Sequence, residues 1–372
     1  MKKILLTICA LFVVFAAPLC AMEWGGLVTN DTGAYIMTMP DYTGTTINQS
    51  NGVSVWFKNP IGEDFAVSGE LLYKYKFSKP KDVDGTLTHI FDVPLLKVSG
   101  ATEAGSGILS LDAGRFAYVD NAGAVVSGTI DGVAVEYSLP LVKLGAMAGY
   151  TGLLNSLNNT NLSRADYSKE PKFYDLAYGI APIGLSVEFP YLLGNQSIGI
   201  QTYIMLDCGE NKSDSIPFYA NLVLSGPVAN SIYYNLATTF GAIDFKDFTN
   251  YTSFSLMVFP TQAISVNAGV DLGLVLDGHA YMSPLAGVGG GQITPRASFT
   301  YGTDKLCFDL GGKYILAYNG DSYEGTSFDL NTGIVYNIFS DLQVGLSGTA
   351  SFDTTEAKTN TYTVNLNIAL AF

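Results

Sequence analysis

Histidine would be the usual catalyst in a chain this poor in charge, and there are two: His89 and His279. His89 falls in an irregular alternating run and His279 in a long polar connection. Neither has a nucleophile and an orienting acid in register, so a surface role is the simpler account of both and no catalytic residue is expected. Metal-ligand spacing is absent, and "GVGGGQ" (287–292) lacks the strand–helix setting of a phosphate loop, so no metal or cofactor is expected either. The charged residues are more informative. Glu70, Lys74, Lys76, Glu136, Lys143, Glu188, Asp271, Arg296, Asp309, Lys313 and Asp329 all fall on the polar parity of runs whose other parity is apolar. Side chains placed that way line a common polar surface, and their chemistry is electrostatic.

The elements that would carry them are strands. "YTVNLNIALAF" sets Tyr362, Val364, Leu366, Ile368, Leu370 and Phe372 against Thr363, Asn365, Asn367, Ala369 and Ala371, the period of two that points alternate side chains to opposite faces. "VNAGVDLGLVL", "LCFDLGGKYILAY", "FDLNTGIVYNI" and "LQVGLSGTASF" repeat the pattern, as do shorter runs from about 24 to 301. The reading gives about 18 strands, with 16 as the alternative. Lys97 falls on the apolar parity of 86–99, the least regular run.

Export is indicated at the amino end. "MKKILLTICALFVVFAAPLCAMEW" places Lys2 and Lys3 before an apolar run and a small-residue exit, which predicts a signal peptide over 1–21 with cleavage after Ala21. Leu19 fits poorly before a lipid-modified Cys20. The chain has 33 acids against 19 bases, and losing Lys2 and Lys3 makes the remainder more acidic, which argues against a nucleic-acid partner. Forty Gly, 23 Tyr and 21 Phe favour turns and strands over helices. Only Cys208 and Cys307 follow the leader, too few for a disulfide scaffold, and they are expected to be free.

The connections decide which kind of strand protein this is. Brief ones ("NPIGED", "SLP", "LLGNQ", "FPTQ", "GTDK", "NIFSD") alternate with longer polar ones expected to face outside, "MPDYTGTTINQSNG" among them and the longest near 152–172 and 277–292. A soluble sandwich has no reason to segregate loop lengths in this way, whereas a single-chain transmembrane antiparallel β-barrel over 22–372 does. A charge on its lipid face costs about 2–4 kcal/mol at mid-membrane, which turns the charged parity inward.

On these features the chain resembles bacterial outer-membrane β-barrels of the porin-like group. The most specific element is the terminal run from Tyr362 to Phe372, similar to the assembly signal of that class. The resemblance implies an outer-membrane location, a lipid bilayer around the barrel, and periplasmic chaperones and barrel-assembly machinery as partners. It also implies passive diffusion of small hydrophilic solutes as the function. A sugar- or anion-selective channel lined by Trp56, Tyr203, Tyr219 and Tyr233 is one alternative; a surface adhesin or antigen displayed on a barrel is another. Assembly of several copies is compatible with the sequence but not fixed by it. "LDAGRFAYVDNAGAVVSGTIDG" weakly resembles a strand of polyanion- and phosphate-type porins, without their arginine-rich array. Parity breaks within it, which predicts either a bulge near Ala113–Gly114 turning Arg115 inward or an Arg115 at the outer rim reaching solvent. The 152–172 loop is the candidate constriction. The inward charges allow either a transverse field, basic on one side, or wall ion pairs.

Overall fold

The computed structural model describes residues 22–159, 173–192, 194–209, 216–243, 247–274, 291–318, 322–355 and 358–372. The leader, residues 160–172 of the first long loop and most of the second lie outside them. Among the described residues, eighteen strands form one sheet in which each pairs antiparallel with its sequence neighbours. They are β1 (Glu23–Met39), β2 (Tyr42–Ile61), β3 (Phe65–Pro80), β4 (Thr86–Ala104), β5 (Gly107–Val119) and β6 (Ser127–Ser138). β7 (Lys143–Tyr150), β8 (Ile180–Leu192), β9 (Gln196–Asp207), β10 (Pro217–Ala229), β11 (Ile232–Ile243) and β12 (Asp247–Thr261) follow. β13 (Ile264–Leu274), β14 (Gln292–Gly302), β15 (Leu306–Tyr318), β16 (Tyr323–Asn337), β17 (Leu342–Asp353) and β18 (Asn360–Ala371) complete the sheet.

β18 then pairs back onto β1, from Leu27–Ala371 to Thr38–Asn360, so the sheet closes and has no free edge. Gly26 and Phe372 exchange backbone hydrogen bonds at 2.8 and 3.0 Å. Gly26 is needed there: a Cβ would stand 2.3 Å from Cζ of the Phe372 ring, which lies across the β1 backbone. The terminal aromatic residue therefore sits at the seam of the barrel.

Parity carries one face around the wall. Leu366 and Ile368 lie opposite Thr32 and Asn30, and these face Gln49 and Asn51 on β2. Large apolar side chains stand exposed on the outer face (Leu71, Leu185, Phe254, Leu310, Leu346, Val364), as a barrel wetted by lipid requires.

The strands depart from the sequence expectations where pairing overrides local composition. "MPDYTGTTINQSNG", expected as an outer loop, is a turn at Pro40–Asp41 followed by the first half of β2, paired along its length with β1. In β4 the register shifts between Leu95 and Asp92, leaving Val93 and Pro94 opposite Leu71 alone. The proline cannot donate to the ladder, and the bulge it occupies reverses the parity of the strand. Lys97 thereby faces inward, correcting its expected place on the apolar face. β5, by contrast, runs in unbroken register with both neighbours through Ala113 and Gly114. The bulge expected there does not exist, so Arg115 lies on the outward parity and Phe116 and Tyr118 on the inward one.

Candidate functional site: an inward hairpin and a charged lumen

β4 pairs with β5 only as far as Leu96–Arg115, and β6 with β7 only as far as Asp131–Tyr150. Beyond those points β5 and β6 pair only with each other, up to Val119–Ser127. This hairpin end leaves the wall and bends into the barrel. Its Phe116, Val125, Val126 and Ile130 pack with Met147, Tyr203, Met205 and Tyr219, residues of the inner faces of β7, β9 and β10. Tyr203 and Tyr219, expected to line a selective path, are buried beneath it at 1% and 0% exposure. Trp56 and Tyr233 keep their inward parity and remain exposed.

One carboxylate organises the tip. Asp120 accepts backbone N–H bonds from Ala122 (2.9 Å), Ala124 (3.3 Å), Val125 (2.8 Å) and Val126 (2.6 Å). It also accepts Nδ2 of Asn221 on β10 at 2.9 Å, which ties the tip to the far wall. Burial pushes the Asp120 carboxyl up from its ordinary value, and the backbone N–H groups pull against that shift. Asn121 N donates to Oε1 of Gln201 at 2.8 Å, and the hydroxyls of Tyr118 and Tyr203 lie 3.1 Å apart.

The wall position that the hairpin vacates is filled by the segment between β7 and β8. Residues 151–159 and 173–179 form a short ladder of their own (Ser156 N to Asp175 O 2.8 Å, Ala177 N to Leu154 O 2.8 Å). Its edge reaches β4, where Phe91 N donates to Phe173 O at 3.1 Å and Asn155 Nδ2 to Phe91 O at 2.7 Å. Arg115 sits at the branch point. It makes a bidentate pair with Asp131 (2.8 and 2.8 Å) and donates to Val93 O (3.2 Å), Leu153 O (2.9 Å) and the Tyr174 hydroxyl (3.2 Å). An arginine on the outward parity is tolerable only because this docked segment covers it. The β5–β6 hairpin thus narrows the lumen; of the 152–172 loop, the expected constriction, residues 152–159 belong to the wall and 160–172 lie outside the described residues.

Beneath the hairpin, toward the short turns, lies a cavity of about 970 Å³. Lys58, Asp112, Tyr118, Asn121, Glu136, Lys143, Glu188 and Gln201 are among its lining residues. A smaller space of about 420 Å³ lies against Arg296, Lys313, Asp329 and Asn331. Around the inner face most bases stand beside an acid of the adjacent strand: Lys97–Asp112 at 2.8 Å, Lys143–Glu188 at 3.8 Å, Arg296–Asp271 at 2.9 Å and Lys313–Asp329 at 3.3 Å. Glu136 accepts from Ser138 (2.8 Å), and Asp309 lies between Thr300 and Gly333. Glu70 lies opposite Trp56, Lys74 opposite Gly52 and Lys76 opposite Ser50. Lys76 Nζ donates to Leu157 O at 3.4 Å. Among the described residues, Lys58, Lys74 and Lys76 have no ion-pair partner, so the unpaired bases of the inner wall stand together on β2 and β3, three against the one carboxylate of Glu70.

No protein-family model matches the chain, and no curated protein does. Solved structures do match. The Pseudomonas aeruginosa protein OccK7 (OpdD) superposes with a TM-score of 0.65 at 10% identity, over 94% of this chain and 99% of that one. Acinetobacter baumannii OccAB4 gives 0.59 at 10% identity, over 95% and 100%. Pseudomonas aeruginosa OccK2 (OpdF), in a structure with glucuronate, gives 0.59 at 12%, over 94% and 98%. The chain has the fold of these structures, a closed antiparallel barrel, with eighteen strands among the described residues.

Several residues of this barrel's interior were not legible from spacing alone. Lys97 needs the Pro94 bulge to be placed, and Pro94 within an apolar run was the available signal. Lys58 and Asp112 have the right parity but sit near the short turns. His89 takes the outward face opposite Tyr75, with Nδ1 2.8 Å from the Tyr73 hydroxyl. His279 lies outside the described residues. Cys208 and Cys307 are free and exposed.

Proposed function

We propose that the chain forms a channel of the bacterial outer membrane that passes small hydrophilic solutes by diffusion and catalyses no reaction. The observation that carries this reading is the combination of an apolar outer face with a charged inner face narrowed by the inward β5–β6 hairpin. Barrels of this strand number enclose a water-filled lumen, and a hairpin held across it by Asp120, Asn121 and Asn221 would set the size of solute that passes. The test is conductance of purified, folded protein in planar bilayers. Discrete steps are expected; a folded barrel that gives none would favour the display-scaffold alternative.

A second reading, selectivity for acidic solutes, is favoured by Lys58, Lys74 and Lys76. These three stand on adjacent strands without carboxylate partners among the described residues, while the other inner bases are paired. Positive charge left unbalanced in a low-dielectric channel raises the local anion concentration. Replacing Lys74 and Lys76 with Gln should shift the reversal potential in a salt gradient toward cations, and the shift should shrink as salt rises. An unchanged potential places these lysines away from the ion path.

A further inference from the structure

The outer face of the barrel carries a polar group where lipid chains should be. Asn30 and Thr32 on β1 and Gln49 and Asn51 on β2 all have outward parity. They lie midway between Tyr362–Ile36, near the long-loop end, and Phe372–Gly26, at the short-turn end. Thr32 donates to Asn30 at 3.3 Å and Asn30 donates to Asn51, whose Nδ2 is buried beneath the patch, so the amides that reach the outer surface are those of Asn30 and Gln49. Gln49 is half-buried and makes no hydrogen bond among the described residues. The backbone cannot help, because both strands are paired on both edges.

A second outward polar group behaves differently. Thr238, Thr252 and Asn250 on β11 and β12 bond to one another and to Thr239 O, leaving nothing to be satisfied from outside. Open amides at mid-membrane are stabilised only by protein presenting donors and acceptors at the same depth. Another copy inserted the same way does so automatically, since its own amides lie at that level, and an amide is both donor and acceptor. We propose that the outer face of β1 and β2 docks a second copy of this chain, side by side in the membrane about a twofold axis along the membrane normal. A twofold axis sets each patch against itself, which suits a single self-complementary patch.

The experiment uses full-length folded barrel with Cys208 and Cys307 replaced by Ser, reconstituted in phospholipid vesicles. Its oligomeric state is measured by single-molecule photobleaching, and folding is checked by heat-modifiable migration. Wild type should be dimeric. The double variant Asn30→Leu/Gln49→Leu should raise the dimer dissociation constant about tenfold or more, from two lost hydrogen bonds on each side of the axis, whereas Asn250→Leu should not. Thr32→Cys, which needs no folding assumption about the amides, should give an oxidant-dependent dimer. A monomeric or trimeric wild type, a variant that stays dimeric, or absence of the Thr32→Cys cross-link overturns the proposal. A monomer that loses a co-purifying lipid in the double variant also overturns it and identifies lipid as the occupant. None of these readouts depends on conductance.

Discussion

Asp120→Ala should release the hairpin tip without unfolding the barrel. The carboxylate is the acceptor for the backbone N–H groups of Ala124, Val125 and Val126, which belong to fully buried residues, and for the amide of Asn221, 1% exposed. Each buried donor left without an acceptor costs about 1–3 kcal/mol, so the four together oppose docking by at least about 4 kcal/mol. That shifts the ratio of docked to undocked tip by about a thousandfold. The apolar contacts of Phe116 and Ile130 lie further down the hairpin and are untouched, as is the pairing from Ile108–Ser138 to Arg115–Asp131 that keeps β5 and β6 in the wall. Single-channel recording should therefore show a larger and noisier open level at normal heat-modifiability. Asp120→Asn, which keeps one acceptor oxygen, should fall between. Unchanged conductance and noise in Asp120→Ala would refute the assignment of the hairpin as the constriction.

Arg115→Leu should lower the urea midpoint of the folded barrel by the equivalent of about 3–5 kcal/mol, because Asp131 is left charged and unpaired, and Arg115→Leu/Asp131→Leu should recover part of the loss. Deleting Phe372 should leave export intact but reduce folded barrel in the membrane, and Gly26→Val should do the same, since its side chain would occupy the place of the Phe372 ring; wild-type levels of heat-modifiable protein in both would separate the terminal ring from assembly. Cysteine at Val83, exposed in the connection between β3 and β4, should react with an impermeant reagent on intact cells, and cysteine at Ser340, in a turn at the opposite end, should not. The reverse pattern would invert the topology.

Alternation made the barrel legible because lipid and lumen impose opposite demands on successive residues, and eleven of the expected inward charges follow from that rule alone. It fails where a residue is excused from the rule. Lys97 looked misplaced because a single extra residue at Val93–Pro94 reverses everything after it, a local event with a local signal. Residues 42–52 looked like a loop because they are polar and Gly-containing, yet pairing with β1 holds them as strand. Arg115 was harder. Its outward parity called for a bulge or a place at the outer rim; the actual remedy is a segment some forty positions away in the chain, which no periodicity of β5 can reveal.

The same exchange explains why the hairpin could leave the wall at all. Strand ends unpaired within a membrane leave backbone groups that hydrocarbon cannot satisfy. When β5 and β6 bend inward past Arg115 and Asp131, the edges of β4 and β8 would be left in that state. The 151–159 and 173–179 ladder takes their place: Phe173 O accepts from Phe91, Asn155 reaches Phe91 O, and Thr151 N donates to Ile180 O at 3.0 Å. Arg115 joins the departing hairpin, through Asp131, to the replacement, through Leu153 O and Tyr174. Constriction and wall repair are therefore one structural event. A variant that loosens the repair segment should disturb the pore before it disturbs the barrel, so Asn155→Ala should change open-channel noise at unchanged heat-modifiability. A change in barrel stability with silent conductance would mean that wall and hairpin are independent.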